Sequence, residues 1–283
     1  MRVILVWLET VWQDLKYGAG QLPRSPGFIS AAAITLALGI GVNMPIFSPL
    51  LLRPLPGIKS GGLVAVYRGD DRPCSYPDFL DFQERGTAFS GLTADMTSES
   101  VLDVGDTSEI ILIEGVSYNY ASVLETQPSL GRWFSAQDEH TADQYPAVIS
   151  YRVWQSRFGA DLQVIGKRAR LESQWYTVVG VAAKDFQGMA LPIVTDVWVP
   201  LVKYARHNEF AGRLVKNRQE GRVMMFGRLK PGITIPQAQA QIKVVDNQLR
   251  REYPVLDPRA VTLRVEPARE HLILVPVTCL LDP

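Results

Sequence analysis

The sequence predicts an α+β protein in which one N-terminal transmembrane helix precedes a domain built on a mixed β-sheet. Three observations support this prediction. Residues 28–52 contain no Asp, Glu, Lys, Arg or His. Residues 234–249 have the apolar spacing of an amphipathic helix, and runs of β-branched residues on either side predict strands. A strand, a helix and a second strand in this order assemble most simply as a β-α-β unit, with the helix on one sheet face.

Residues 28–52 would cross a membrane as a helix. At ~1.5 Å rise per residue they would measure roughly 37 Å, more than the ~30 Å of a hydrocarbon core. Pro45 would kink or end this helix, and residues 28–44 alone are at the short limit for spanning. A buried core helix and a signal peptide are the alternatives, and the long polar lead argues against a signal peptide. We therefore expect membrane lipid to be a partner.

Residues 1–27 predict an interfacial amphipathic helix on the membrane surface. Its apolar residues recur at helical spacing, namely Val3, Val6, Trp7, Val11 and Leu15. An ordinary amphipathic helix packed on a soluble core is the alternative. Three cations precede the span (Arg2, Lys16 and Arg24), and the nearest ones after it are Arg53 and Lys59. This difference favours a cytoplasmic N-terminus.

Residues 53 to about 270 predict the folded domain. Its strand candidates are rich in β-branched and aromatic residues and comprise 63–67, 110–116, 148–149, 167–171, 175–181, 196–200, 223–229 and 261–265. Its helix candidates are 119–124, 150–158 and the helices opened by Ser75 and Thr234. In the helix after Ser75, Phe79 and Phe82 would be buried, with Leu80 beside them. In the helix after Thr234, Gln237 completes a capping box and one buried stripe follows, formed by Ala238, Ile242, Val245 and Leu249.

Composition and motifs argue against several functions. The formal net charge is zero, so no electrostatic argument favours a nucleic-acid partner. The sequence has no phosphate-binding G-x-x-x-x-G-K-[ST] loop, no H-E-x-x-H and no G-x-S-x-G. The two cysteines, Cys74 and Cys279, are too far apart in sequence to form a metal motif. We therefore predict no enzyme, no catalytic residue, no cofactor and no metal site.

Individual polar and aromatic residues are expected to have ordinary structural roles. His140, His207 and His271 are isolated, and His140 lies in an acidic segment that we expect to be solvated rather than metal-binding. Asp78 and Asp81 are interpreted as helix N-terminal charges. Four tryptophans in apolar contexts are expected in the core or an interface, namely Trp133, Trp154, Trp175 and Trp198.

An ordered set of motifs runs through nearly the whole chain. It comprises QDLKYGAGQLPRSPGF, TLALGIGVN, IFS, LLRPLP, SYPDFLDF, FSGL, VSYNYASVLETQPSLGRWF, VISYRVWQSRFG, YTVVGVAAKDFQG, DVWVPL and GRLKPGITIPQAQAQI. The set resembles MacB-type ABC transporter permeases, including the duplicated orphan permeases common in acidobacteria. The resemblance implies a bacterial cytoplasmic (inner) membrane location, a cytoplasmic N-terminus and an extracytoplasmic core domain over 53–270. It also implies a porter-like subdomain at about 60–130 and 222–266, and an inserted β-rich subdomain at about 131–221.

Three segments depart from that family pattern. Only Pro49 and Leu50 separate IFS from LLRPLP, where family members usually have several more residues. The family generally has Asn-Gly near residues 172–174, where this chain has Glu-Ser-Gln. Residues 271–283 resemble the approach to a second membrane helix, but the apolar run 272–281 is far too short to cross. We therefore expect a C-terminally truncated permease that has one span and cannot transport alone.

Two functions remain open from the sequence. The first is a permease component, in fragment form, of a MacB-like ABC export system. Its extracytoplasmic domain would move in response to ATP hydrolysis by a separate ABC ATPase, with other permease subunits as further partners. The second is a single-pass membrane-anchored extracytoplasmic binding or scaffold module that has no ATPase partner. Co-purification of an ATPase would discriminate between them.

Overall fold

The computed structural model describes residues 35, 57–69, 73–105, 107–190, 193–253 and 263–268. The chain divides into two compact units, 1–53 and 54–283, and the fold described below belongs to the second. The predicted interfacial helix, the predicted span apart from Thr35, and residues 271–283 lie outside the described residues. No helix within the described ranges has the length and apolar character needed to cross a membrane.

The second unit alternates short helices with strands. The strands are β1 (Leu63–Arg68), β2 (Phe89–Val104), β3 (Thr107–Val116), β4 (Pro128–Gly131), β5 (Pro146–Ile149), β6 (Arg168–Leu171), β7 (Gln174–Ala182), β8 (Val197–Pro200), β9 (Met224–Leu229) and β10 (Leu263–Pro267). The helices are α1 (Tyr76–Arg85), α2 (Tyr120–Leu124), α3 (Ala136–His140), α4 (Tyr151–Phe158), α5 (Leu201–Tyr204), α6 (Glu209–Leu214) and α7 (Ile235–Glu252). The predicted mixed α+β fold is thereby confirmed.

All the described strands belong to one 10-stranded sheet. Its order is β10-β1-β9-β2-β3-β8-β5-β7-β4, and β6 pairs with both β2 and β7. The pairs β3–β8 and β5–β7 are parallel, whereas the others are antiparallel. Because β6 joins β2 to β7, the strands β2, β3, β8, β5, β7 and β6 form a closed ring. The other part is the predicted β-α-β unit, in which β9 and β10 flank β1 and α7 connects them.

Local sequence signals account for the helix ends. The Ser75 and Ser150 hydroxyls accept hydrogen bonds from the third residue of α1 and α4, satisfying backbone donors that have no partner within the helix. Gly159 ends α4 with φ 60°, a left-handed conformation that glycine adopts without strain. Thr234 and Gln237 form the predicted capping box of α7. The strand, helix and hairpin candidates named from sequence are found within three residues of their predicted bounds. The first two residues of the last strand candidate, 261–262, lie outside the described residues.

Two apolar clusters lie on opposite faces of the ring. Alternate residues of all six ring strands belong to the first cluster and fill the interior, including Leu102, Ile113, Val178, Ala169, Ile149 and Val199. The predicted stripe of α7 belongs to the same cluster. The intervening residues Val148 and Trp198 face outward and pack in the second cluster with Tyr120, Trp133 and Phe186. Side-chain alternation along each strand thus separates an inner from an outer layer.

Two details differ from the sequence predictions. The longest strand, β2, was not predicted, and it links the β-α-β unit to the ring. Leu80 is 46% exposed rather than buried beside Phe79 and Phe82, because it lies on the opposite face of α1.

The predicted hairpin β6–β7 is present without Asn-Gly, and Glu172 takes the left-handed conformation in its turn, with φ 53°. The division into porter-like and inserted subdomains stays a prediction.

Candidate functional site

Among the described residues, the side chain of Glu114 makes the largest number of hydrogen bonds, and it is fully buried on the outer face of β3. Its Oε1 accepts a hydrogen bond from the Thr195 hydroxyl at 2.7 Å and from two backbone amides, those of Met189 at 3.2 Å and Ala190 at 3.3 Å. Gly188 makes this approach possible, because a Cβ there would lie 2.4 Å from Oε1. The segment before β8 is therefore folded around one carboxylate.

The second oxygen of Glu114 binds two aromatic side chains. Oε2 accepts from the Trp198 indole N–H at 2.6 Å and from the Tyr120 hydroxyl at 2.8 Å. Burial raises the pKa of Glu114, and the hydrogen bonds it accepts oppose that rise. Burial also raises the pKa of Tyr120 well above its usual range, so Tyr120 acts as a donor. Glu114 thus connects β3 to α2, β8 and the segment preceding β8.

A second buried carboxyl group, that of Asp95, lies beside Glu114. Asp95 pairs with Val116 on β3, so Glu114 is two residues away on the same face of this antiparallel pair. Asp95 Oδ1 is buried and has no hydrogen-bond partner in the described part of the chain. Burial, and then the charge of Glu114, raise the pKa of Asp95 well above its usual range. Neither carboxyl group was predicted from the sequence, although the acidic residue inside the apolar run IILIEGV is a visible signal for Glu114.

Asp78 lies in the first turn of α1, as predicted, and also takes part in ion pairs. It is buried, and its oxygens lie 2.5 Å from Arg68 Nη2 and 2.7 Å from Arg218 Nη1. Arg218 also lies 2.7 Å from Asp81 Oδ2, while Arg68 reaches Asp246 of α7 at 3.5 Å. The interpretation as helix N-terminal charges is therefore incomplete. The two aspartates belong to an ion-pair network that joins β1, α1, α7 and the segment before β9.

The acidic segment around His140 is only partly solvated. His140 is exposed at the end of α3, but Asp138 is buried and receives two hydrogen bonds from Arg132, at 2.7 and 2.9 Å. Burial alone would raise the pKa of Asp138, but the hydrogen bonds from Arg132 and Ser135 outweigh it and lower this pKa to about 2. In the described residues, no three His, Cys, Asp or Glu side chains converge as metal ligands would.

His207 is isolated in the sequence, but in the fold it lies among three tyrosine rings. Its ring contacts the rings of Tyr145, Tyr176 and Tyr204, with centroid distances between 5.6 and 5.7 Å. Its Nε2 lies 3.1 Å from the Tyr176 hydroxyl. Burial lowers the pKa of His207, and this effect outweighs the opposing charge of Glu172. His271 lies outside the described residues.

Three of the four tryptophans have the expected core positions. Trp133, Trp154 and Trp198 are buried, whereas Trp175 is 53% exposed on the outer face of β7. Trp133 and Trp198 contact each other edge to face, with centroids 5.5 Å apart. The first three tryptophans therefore contribute packing rather than a ligand-stacking surface.

A surface groove of about 500 Å³ lies between α1, the start of β2 and the segment before α2. Leu80, Phe89 and Tyr118 line it. Two amides in the groove, Gln83 Nε2 and Asn119 Nδ2, both donate to the Leu92 carbonyl, at 3.0 and 2.9 Å. These two polar side chains therefore hold the backbone of the groove itself.

These features define the class of the domain. It is a mixed α+β domain composed of a β-α-β unit and a closed strand ring, and its polar centres connect structural elements to each other. Comparison with known proteins identifies the family. A model of the MacB-like periplasmic core domain matches residues 29–245. The chain therefore belongs to this family of MacB-type permeases, as the sequence motifs predicted.

Individual relatives are distant. The macrolide export ATP-binding/permease protein MacB of Chlorobium luteolum is 27% identical over 113 residues, which are 40% of this chain and 17% of that protein. The periplasmic region of MacB from Actinobacillus actinomycetemcomitans shares the fold with a TM-score of 0.56 at 13% identity, covering 78% of this chain and 94% of that one. The extracellular domain of YknZ, a noncanonic ABC-type transporter from Gram-positive bacteria, gives a TM-score of 0.53 at 13% identity, covering 72% and 99%.

Proposed function

We propose that the chain is a permease component of a MacB-like ABC export system. Residues 53–270 form its extracytoplasmic domain, residues 28–52 anchor it in the cytoplasmic membrane, and the N-terminus is cytoplasmic. A separate ABC ATPase supplies the energy, and the chain itself has no catalytic role. The observation that carries this proposal is the family match over 29–245, which includes most of the predicted span and most of the domain.

The architecture of the domain supports a role in movement. The β-α-β unit and the closed ring each have their own strands, and β2 is the strand that runs through both. We propose that the β-α-β unit lies in the porter-like subdomain (about 60–130 and 222–266), that β5–β8 of the ring lie in the inserted subdomain (about 131–221), and that ATP hydrolysis changes the position of one subdomain relative to the other. The ion-pair network around Asp78 lies within the first part, and the apolar interior of the ring makes the second part a compact body.

Co-purification tests the partner. The full chain, carrying an affinity tag, is isolated from membranes of its own host, and the associated proteins are identified by mass spectrometry. We expect an ABC ATPase whose hydrolysis rate depends on the presence of the chain. If no ATPase accompanies the chain, the proposal fails and the single-pass anchored binding module becomes the better description.

Distance measurements between two spin labels test the movement. One variant carries Val244→Cys on α7 and Leu162→Cys in the ring part, since both side chains are exposed, at 57% and 72%. The control variant combines Leu162→Cys with Trp175→Cys, which lies in the same part. With the ATPase present, ATP should change the first distance and leave the second unchanged. Equal behaviour of the two pairs would contradict movement between the parts.

A further inference from the structure

Asp95 occupies the position at which β2 changes its partner. The residues of β2 from Phe89 to Asp95 pair with β9, and those from Asp95 to Val104 pair with β3. Asp95 itself lies opposite Met224 on one side and Val116 on the other. The carboxyl group of Asp95 is therefore buried at the junction between the β-α-β unit and the ring.

The hydrogen bonds around the two carboxyl groups are distributed unequally. Glu114 accepts five hydrogen bonds, from Thr195, Met189, Ala190, Trp198 and Tyr120. Asp95 Oδ1 accepts none from the residues that the structure describes. A buried carboxylate that receives several donors is stabilised as an anion, whereas a buried carboxyl group with an unpaired oxygen has less of this stabilisation, which favours its neutral form. The surroundings therefore favour the charge on Glu114.

Among the described residues, no cation pairs with either of these carboxyl groups. Within the part of the chain that the structure describes, Glu114 from β3 and Tyr120 from α2 are titratable groups that interact with Asp95. Neither carboxyl group forms a salt bridge among the described residues; the ion pairs of the adjoining β1 and α1 join Arg68 and Arg218 to Asp78 instead. Two adjacent buried carboxylates without a cation repel each other, so the pair is expected to retain one proton.

We propose that Asp95 holds a proton at neutral pH beside ionised Glu114, and that the need to retain this proton makes the junction between the ring and the β-α-β unit less stable in neutral and alkaline solution than in weakly acidic solution. The proton makes Asp95 neutral and leaves the pair with a single charge, which five donors stabilise. Removing it places a second charge on the same face, next to the amides of Met189 and Ala190 that fold around Glu114. This inference concerns the domain alone and does not depend on an ATPase partner.

The sign of the pH dependence follows from the pair. An aspartic acid that keeps its proton in the folded state binds more protons than the unfolded chain above its ordinary pKa of about 3.9. Stability then decreases as the pH rises, until the folded-state group has also ionised. Asp95→Asn preserves the neutral shape, so it should remove this decrease and raise the unfolding temperature of the full chain at pH 7–9.

Infrared spectroscopy of the full chain observes the proton directly. At pH 7 we expect the C=O stretching band of a protonated carboxylic acid, shifted in ²H₂O and absent in Asp95→Asn. Asp138→Asn is the matched control. Asp138 is also buried, but the hydrogen bonds from Arg132 keep it ionised, so this variant should keep the band and lower the unfolding temperature.

The possible results are distinct. If the wild-type chain has no such band at pH 7, or if the band persists in Asp95→Asn and disappears in Glu114→Gln, the proton assignment is wrong. If Asp95→Asn destabilises the chain at pH 8 as much as Asp138→Asn does, Asp95 is an ionised group and the proposal is overturned. Should Asp95→Asn fail to fold, the pH titration of the wild-type band decides, because an ionised pair would show none at neutral pH.

Discussion

Two neighbouring valines on α7 provide a test of the packing between this helix and the sheet. Val245 is 7% exposed and belongs to the apolar cluster that includes the strands of the β-α-β unit, whereas Val244 is 57% exposed. Val245→Ala removes two buried methyl groups, each worth about 0.8 kcal/mol, and leaves a cavity that costs about 1 kcal/mol more. The better helix propensity of alanine returns about 0.5 kcal/mol. We therefore expect a net loss of about 2 kcal/mol.

The control is Val244→Ala, which makes the same chemical change one residue away. It removes little buried surface and gains the same helix propensity, so stability should stay equal or rise by about 0.5 kcal/mol. Urea unfolding of the full chain, followed by circular dichroism, gives both free energies. For a domain of this size, a 2 kcal/mol loss lowers the unfolding temperature by about 4–8 °C. Equal effects of the two substitutions would refute the assignment of the α7 face.

Three further predictions concern polar groups and a glycine. Asp78→Asn should lower the free energy of unfolding by about 3 kcal/mol, because it removes the buried carboxylate that two largely buried arginines share. Asp161→Asn, in an exposed ion pair, should have a much smaller effect in the same urea titration. His207 has a lowered pKa, so the unfolded chain binds a proton more readily and thermal stability should decrease as the pH falls through about 6.5; His207→Phe should remove that slope. Gly188→Ala should cost about 2 kcal/mol in urea unfolding, because φ is +88° and the new Cβ would lie 2.4 Å from the oxygen of Glu114; a wild-type midpoint would contradict this geometry.

The sequence was sufficient wherever a local signal determined the structure. The helix α7 was predictable because its capping box and its apolar stripe lie within one segment and indicate the same face. The helix α4 was predictable because Ser150 accepts a hydrogen bond from a backbone amide at its start, and Gly159 adopts the left-handed conformation that ends it. In both helices, the residues that carry the sequence signal lie within or next to the helix itself.

The missed features depend on residues that are distant in sequence. The strand β2 is buried on both faces from Leu92 to Met96, where it lies between β9 and β3, and it alternates only further along. No single periodicity describes it, so pattern matching fails. The site at Glu114 likewise requires donors from 81 and 84 residues further along the chain, those of Thr195 and Trp198. Neither donor has a sequence signature that would connect it to this glutamate.

The closure of the ring by β6 also affects how copies of the chain behave near one another. An unpaired strand edge exposes amide and carbonyl groups that can pair with another chain and start aggregation. Within the described residues, the sheet ends only at β4 and β10, which have four and five residues and carry Pro128 and Pro267 at their termini. Short edges with proline are poor templates for strand addition. The fold thus limits association through its sheet edges when many copies are crowded together.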